Sequence, residues 1–199
     1  MIAYRVVAVP ERLERAERLS RAVGGKVILD EYHEGTFPTH RRALHSAVDA
    51  SHVVVLEDDA IVCGDFIEHV TRLVEERPDH LLGLYVGRRF PKGPQGAIGE
   101  MVEKRPAWLD HEILTSRLWW AVGYVMPVAD IPFVLERLAE ANQHPWLNTD
   151  LRLGRWHVEQ GRLSYPFPSP VDHDDTLPSI TSSAKHGRVA WIHCGGASR

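Results

Sequence analysis

Three consecutive carboxylates, Glu57, Asp58 and Asp59, follow an apolar run at residues 53–56. Four successive aliphatic residues are typical of a strand that is buried on both faces of a mainly parallel sheet. Three carboxylates at the edge of such a core raise one another's pKa values unless a cation lies close to them. Divalent ions such as Mn²⁺ or Mg²⁺ prefer oxygen ligands and could supply this positive charge. We therefore predict a metal site at this strand end, where open α/β sheets bind their ligands.

A second acidic segment, at residues 172–175, places His173 among three aspartates. Imidazole is an acceptable ligand for Mn²⁺ and a poorer one for Mg²⁺, so His173 favours manganese at a shared site. Asp172, Asp174 and Asp175 are expected to be loop residues rather than ligands. A solvated acidic loop is the alternative interpretation of the whole segment.

Alternating strands and helices must position these acids. A β-branched run at 4–9, a helical pattern at 11–22 that stops at Gly24, and an apolar run at 26–30 come first. A second helix, starting near residue 39, leads into the acidic strand. Such alternation with short connections predicts an α/β fold with a Rossmann-like, mainly parallel central sheet flanked by helices.

Further elements are predicted after the acids. Asp65 and Glu68 have the spacing of a capping box at a helix start. Patterns typical of strands occur at 81–86 and 118–126, and patterns typical of helices at 130–141 and from 148 past 156. Residues 87–110, rich in glycine, proline and charge, predict a long irregular excursion. We expect one domain over residues 1–180 and a partly mobile C-terminal tail at 181–199.

The composition narrows the classes of function. A net charge of −4 over 199 residues lacks the basic excess of a dedicated nucleic-acid-binding protein. Cys63 and Cys194 are distant in sequence and predict free thiols rather than a disulfide framework or a zinc knuckle. No apolar run is long enough for a membrane span and no secretory signal is recognisable, so a cytoplasmic location is expected. Five basic residues form a local cluster that could either contact phosphates or belong to a solvated loop. They are Arg88, Arg89, Lys92, Lys104 and Arg105.

Three motifs, taken in order, carry a family resemblance. They are Leu56-Glu57-Asp58-Asp59, then Asn148-Thr149-Asp150 with Trp156 downstream, then Pro168-Ser169-Pro170-Val171-Asp172-His173. Over residues 4–179 the chain resembles nucleotide-sugar-dependent glycosyltransferases of the GT-A fold, most specifically small bacterial enzymes related to the lipooligosaccharide galactosyltransferases. Their Leu-Glu-Asp-Asp stands in for the Asp-x-Asp of the wider fold. The resemblance implies a hexosyltransferase that uses a UDP-linked donor such as UDP-glucose and bound Mn²⁺ or Mg²⁺.

The resemblance also implies a role for each acid. Asp59 would bind the metal, Glu57 would hold the ribose or a metal-bound water with Asp58 assisting, and His173 would complete the shell of the ion. Asp150 would be the general base of an inverting transfer, although the residue before it is threonine where the family has glutamate. Helix capping is the alternative role of Asp150, and a retaining reaction would remove its role as base.

Donor and acceptor residues are expected on neighbouring elements. By the resemblance, the donor would contact Val9, Pro10, Arg12, Asp30 and either Arg41 or Arg42. Arg12 has an alternative role as a solvated helix residue. The acceptor side would be lined by Arg88, Arg89, Gln95, Trp119 and Trp120. At least one of the two tryptophans is expected to be core.

Several functions remain open from the sequence. The leading hypothesis is a metal-dependent glycosyltransferase whose acceptor hydroxyl belongs to a glycan, a protein or a hydroxymethylated base in bacteriophage DNA. The second is a two-metal phosphoesterase or nuclease built on Asp58, Asp59, Asp150 and His173. The third is a module that binds nucleotide or carbohydrate without catalysis.

Overall fold

The apolar run before the three carboxylates is a central strand of a seven-stranded sheet. The computed structural model describes residues 1–89, 91–104, 111–114, 116–141, 149–176 and 187–195. The strands are β1 (Ile2–Ala8), β2 (Lys26–Leu29), β3 (His52–Glu57), β4 (Ala60–Val62), β5 (Leu81–Gly83), β6 (His111–Leu114), β7 (Gly123–Pro127), β8 (Leu163–Phe167) and β9 (Val171–His173). The helices are α1 (Leu13–Val23), α2 (Thr36–His45), α3 (Phe66–Glu76), α4 (Gln95–Lys104), α5 (Ile131–Ala141) and α6 (Thr149–Glu159). Two 3₁₀ helices, Pro10–Arg12 and Val128–Asp130, precede α1 and α5.

The sheet is mainly parallel, as predicted. Its strand order is β2-β1-β3-β7-β5-β8-β6, and β1 pairs in parallel with both β2 and β3. β7 is antiparallel to β3 and β5, β8 is parallel to β5, and β6 is antiparallel to β8. Five strands therefore run one way and β6 and β7 the other. The α/β fold with flanking helices is confirmed.

A separate two-stranded ribbon extends from the end of β3. β4 pairs with β9 in antiparallel register, with Ala60 opposite His173. This pairing joins a strand next to the carboxylates to a strand more than a hundred residues later in the chain. The ribbon therefore brings the two acidic segments of the sequence together.

Several local predictions were wrong. The helix α3 begins as expected, but Asp65 makes no capping hydrogen bond because its backbone (φ −102°, ψ 25°) is not in the extended region that aims the side chain at the first turn. The excursion at 87–110 contains the helix α4. The strand predicted at 118–126 begins only at Gly123, and before it the backbone N–H of Trp119 is bonded to the Tyr165 hydroxyl (2.7 Å) instead of to a strand.

The C-terminal segment, which we define as residues 187–195, lies against the body of the protein. Isolated bridges join Gly87 to Ala190 and Ser169 to His193. The Trp191 N–H donates to the carbonyl oxygen of Val86 at 2.9 Å. Within the described ranges, no helix has the length and apolar character that crossing a membrane requires.

Close packing at the centre of the sheet depends on a glycine. A Cβ at Gly83 would overlap the ring of Tyr165, which is fully buried on the neighbouring strand β8. We expect Gly83→Ala to lower the free energy of unfolding by about 1–3 kcal/mol through overpacking, measured by urea denaturation. The control is Gly96→Ala in α4, where an added Cβ has no neighbour within 4 Å among the described atoms and helix propensity should keep stability equal or higher. Equal stability of the Gly83 and Gly96 variants would contradict this account.

Candidate active site

The three carboxylates border a cavity of about 350 Å³ at the carboxyl ends of the first three strands. The register of β1 and β3 sets Val7 opposite Glu57, so the chain that leaves β1 lies beside the acids. The lining residues are Val7, Ala8, Val9, Arg12, Asp30, His33, Gly35, Thr36, Thr39, His40, Glu57, Asp58, Asp59 and Arg188. The location is the one at which open α/β sheets bind ligands.

Asp58 and Asp59 are buried, and Arg12 supplies part of the positive charge that they need. One guanidinium nitrogen of Arg12 lies 2.7 Å from Asp58 Oδ1 and 3.2 Å from Asp59 Oδ2, and all three side chains are nearly inaccessible to solvent. Burial raises the pKa of Asp58 in spite of Arg12. Burial also acts to raise the pKa of Asp59, but the bond and charge of His173 and the charge of Arg12 outweigh it and lower that pKa. Arg12 is therefore not a solvated helix residue.

His173 reaches Asp59 because of the β4–β9 ribbon. Its Nε2 lies 3.2 Å from Asp59 Oδ2, and the Asp174 N–H donates to the Asp59 carbonyl oxygen at 2.8 Å. Asp59 Oδ1 and His173 Nδ1 are buried and have no hydrogen-bond partner among the described residues. A buried carboxylate oxygen without a donor is costly, so these atoms are suited to an additional ligand.

The other aspartates of the 172–175 segment bind Arg15 and the C-terminal segment, and Asp172 lies in strand β9 rather than in the predicted loop. Asp174 pairs with Arg15 at 2.8 Å. Asp172 Oδ1 accepts from the Ala190 N–H at 2.6 Å, and Asp175 accepts from the N–H groups of Gly187 and Arg188. These bonds hold the C-terminal segment so that Arg188 reaches the cavity.

Glu57 belongs to a second polar group with His40, Tyr124 and Asp150. His40 Nδ1 is 3.1 Å from the Tyr124 hydroxyl, and His40 Nε2 is 3.7 Å from Glu57 Oε1. Asp150 is partly buried at the start of α6, and its burial, followed by the negative charge of Glu57, raises its pKa to about 8. Asp150 is thus electrostatically coupled to the site although it does not line the cavity. The helix predicted to open near 148–150 is present, and Asn148 lies outside the described residues.

Asp30 shapes the cavity wall opposite the acids. Its two carboxylate oxygens accept from the N–H groups of Glu34 and Gly35, each at 2.8 Å. Burial acts to raise its pKa, but these two hydrogen bonds and the charge of Arg42 lower it overall. Gly35 has φ 105°, a backbone region that favours glycine, and the turn presents Thr36 to the cavity. Asp30 therefore uses its oxygens to hold this turn.

The remaining donor-side candidates lie at different distances from the cavity. Val9 lines it, whereas Pro10 is exposed at the start of the first 3₁₀ helix. Arg41 is exposed and does not line the cavity, and Arg42 pairs with Glu34. Helix α2 presents Thr39 and His40 to the cavity in place of the two arginines.

The acceptor-side candidates lie in and around the excursion. Trp120 is core, and Trp119 is half-buried beneath Arg117. Arg88 and Arg89 are exposed, and the Arg88 guanidinium lies over the Trp191 ring at 5.5 Å. Gln95 donates to the Gly87 carbonyl and accepts from the Trp191 indole N–H at 3.1 Å, so it joins α4 to the C-terminal segment. Arg105 lies outside the described residues.

Some residues of the site were missed from the sequence. His40 lies on the α2 face that also carries Ala43 and Leu44, so the helical period could have indicated it. Arg15, which donates to the Asp58 carbonyl oxygen at 2.6 Å, is not among the site residues predicted from the sequence. Arg188 had no local signal, because it reaches the cavity only through the bonds of Asp172 and Asp175.

Comparisons with known proteins bear on the fold. No model of a protein family matches the chain, and no curated protein matches its sequence. Among solved structures, a Bacillus anthracis protein assigned as a glucose-1-phosphate thymidylyltransferase matches with a TM-score of 0.53 at 9% identity, over 83% of this chain and 86% of that one. A glycosyltransferase involved in glycosylation of the major capsid of PBCV-1 has a TM-score of 0.47 at 10% identity, over 83% and 82%. The first of these likenesses, at 9% identity, shows the fold alone, which is GT-A-like.

The raised pKa of Asp150 predicts a pH dependence of stability. Between about pH 4 and about pH 8 the folded state keeps a proton that the unfolded chain, with an ordinary aspartate pKa of about 3.9, has released. The free energy of unfolding should therefore fall with rising pH in this window, by at most about 1.4 kcal/mol per pH unit from this group. Urea denaturation of the wild type and of Asp150→Asn isolates the effect, because Asn removes this slope and leaves other titrating groups. Parallel curves for the two proteins would refute the assignment.

Proposed function

We propose that the protein is a metal-dependent glycosyltransferase that takes a nucleotide-sugar donor, UDP-linked, in the cavity beside Glu57, Asp58 and Asp59. The observation that carries the proposal is the buried pair of Asp59 and His173, whose Asp59 Oδ1 has no hydrogen-bond donor among the described residues. The GT-A-like fold is consistent with this activity, and the relation to lipooligosaccharide galactosyltransferases rests on the sequence motifs alone.

The residues at the strand end fit a hard divalent cation. Asp59 offers an unpaired carboxylate oxygen, His173 offers an imidazole nitrogen 3.2 Å from the same carboxylate, and Glu57 is partly exposed to the cavity. Oxygen ligands with one imidazole suit Mn²⁺ better than Mg²⁺. When bound, such an ion would neutralise the charge that develops on the departing diphosphate.

Two arginines are suited to the donor phosphates. Arg12 lies across Asp58 and Asp59, and Arg188 lines the same cavity with about a fifth of its side chain exposed. In the free protein Arg12 offsets part of the carboxylate charge. With a divalent cation on Asp59, the guanidinium of Arg12 could bind a phosphate oxygen instead, because guanidinium groups recognise phosphate well.

Asp150 is the candidate for the general base of an inverting transfer. The acceptor oxygen attacks the anomeric carbon, the bond from that carbon to the diphosphate oxygen breaks, and Asp150 takes the hydroxyl proton. Its pKa of about 8 gives the carboxylate a high proton affinity near neutral pH, which is suitable for a base. Glu57 and Tyr124, which share its surroundings, would orient the group and keep water away.

The acceptor is a hydroxyl group of a glycan or of a modified base in DNA. Four described and exposed basic residues of the excursion could contact DNA phosphates: Arg88, Arg89, Lys92 and Lys104. Trp119, half-buried, is the aromatic residue of the predicted pair that could pack against a sugar ring. Both acceptor classes can be supplied to the same transfer assay, and a salt-dependent rate would favour DNA.

Loss of the metal ligand should abolish transfer. The assay incubates the protein with Mn²⁺ and a panel of UDP- and GDP-sugars and measures release of the nucleoside diphosphate. We expect Asp59→Asn to lower the rate by about 100-fold or more, because a bound cation contributes several kcal/mol to such a step. The control is Asp49→Asn, at an exposed aspartate away from the cavity, which should keep full activity. Cleavage of phosphodiesters without any sugar donor would support the nuclease alternative. Thermal stabilisation of the protein by UDP without turnover would support the binding module.

Removal of the base should separate catalysis from binding. Asp150→Asn should lower the transfer rate by about 100-fold to 10,000-fold while the dissociation constant of the donor, measured by calorimetry with UDP and Mn²⁺, stays within about threefold. The wild-type rate should rise with pH up to about 8, as Asp150 loses its proton. Equal losses of donor affinity and rate would assign Asp150 to structure instead.

A further inference from the structure

Four potential metal ligands meet at a second place, beyond the far end of strand β4. Cys63, Asp65, His69 and Cys194 each present a ligand atom, and these four atoms all lie within 4.8 Å of one another. Cys63 is buried, His69 and Cys194 are half-buried, and Asp65 is exposed. The cluster is thus anchored in the protein and open to an ion from solvent.

Hydrogen bonds of the backbone assemble the cluster. The Cys63 N–H donates to the Pro170 carbonyl oxygen at 3.2 Å, and the Cys194 N–H donates to the Ser169 carbonyl oxygen at 3.1 Å. Both cysteines are therefore bonded to the segment that leads into β9. The fold brings them together although they are separated by most of the chain.

Helix α3 contributes the other two ligands. The His69 N–H donates to the Asp65 carbonyl oxygen at 2.9 Å, which sets the two side chains one helical turn apart on one face. Asp65 stands at the N-cap without capping the helix, and its carboxylate instead faces the Cys63 thiol. An N-cap aspartate that does not cap is available for another partner.

The four side chains already contact one another. The Cys63 and Cys194 side chains are hydrogen-bonded to each other, and Cys63 also contacts Asp65 while Cys194 contacts His69. Thiolate is the form of cysteine that binds metal ions.

We propose that Cys63, Asp65, His69 and Cys194 form a structural Zn²⁺ site, distinct from the carboxylate site. Two sulfur ligands, one imidazole and one carboxylate are a suitable set for tetrahedral zinc, whose ligand atoms lie about 3.3–3.8 Å apart. The observed spacing requires only a small contraction. On binding, each thiol releases its proton to solvent and each thiolate donates an electron pair to the ion.

The site would fasten the C-terminal segment to the ribbon. Cys194 belongs to the segment that carries Arg188 to the cavity, whereas Cys63 directly follows β4. A zinc ion would therefore link both ends of this arrangement and stabilise the folded state by its binding free energy. A disulfide between Cys63 and Cys194 is the competing chemistry, which an oxidant would produce.

Cobalt substitution tests the site directly. Protein stripped with a chelator and kept reduced with a phosphine is titrated with Co²⁺. We expect one equivalent to give a sulfur-to-cobalt charge-transfer band and the visible bands of tetrahedral Co²⁺, both displaced by one equivalent of Zn²⁺. Cys63→Ser and Cys194→Ser should each lower the intensity of the charge-transfer band by about half or more, the double variant should lose it, and His69→Ala should weaken zinc binding by about tenfold or more. The control is His45→Ala, at an exposed histidine on α2, which should bind as the wild type does.

The test is independent of catalysis. Asp59→Asn should keep the charge-transfer band, since the carboxylate site contains no sulfur, so this inference can fail or hold separately from the proposed function. If a serine variant does not fold, the alternative measurement is the rate at which a thiol reagent modifies the wild-type protein. Zinc should slow that modification markedly. The proposal is overturned if reduced protein gives no sulfur-to-cobalt band, if Cys194→Ser leaves the intensity of the band unchanged, or if zinc leaves thiol modification unchanged.

Discussion

Buried negative charge at the end of β3 is the constraint on which the rest of the site depends. Asp58 and Asp59 lie at the edge of a core whose central residues, 53–56, are inaccessible to solvent. Carboxylates in such a place need positive charge and hydrogen-bond donors close by, because burial strongly disfavours the ionised form. Arg12 from the start of the first helix and His173 from the ribbon supply them. One oxygen of Asp59 is still without a donor among the described residues, which leaves the arrangement open to one further cation.

The elements around this charge can be understood as its supports. The β4–β9 ribbon carries His173 and Asp174 back to Asp59. Asp174 in turn holds Arg15 against the backbone of Asp58. Asp172 and Asp175 bind the backbone of the C-terminal segment, so acids that are not ligands still determine where a distant arginine lies. The site is therefore made of three segments that are far apart in the chain.

The sequence predicted the parts of this arrangement that depend on local pattern. The buried strand with its acidic end, the glycine that stops α1 and the helix that opens near Asp150 all have short-range signals, and all are present. Pairings between distant segments have no such signal. The contact of Arg12 with Asp58 and Asp59 arises when β1 pairs with β3. The approach of Arg188 to the cavity and the meeting of Cys63 with Cys194 follow from the pairing of β4 with β9. The false capping box at Asp65 shows the same limit, since spacing alone does not determine the backbone angle that a cap requires.

The ribbon also separates two kinds of ligand. Asp59 stands immediately before β4 and Cys63 immediately after it, so three residues of strand lie between an oxygen-rich cluster and a sulfur-rich one. Metal selectivity in proteins follows ligand type more than raw affinity, and thiolates retain zinc whereas carboxylates suit manganese and magnesium. An ion that prefers thiolate ligands would compete poorly for the carboxylate oxygens. A hard ion would bind weakly to the sulfur atoms. If both proposed sites bind their ions, the same short strand keeps a structural cation apart from a catalytic one, and the C-terminal segment, which carries both Cys194 and Arg188, connects the two sites.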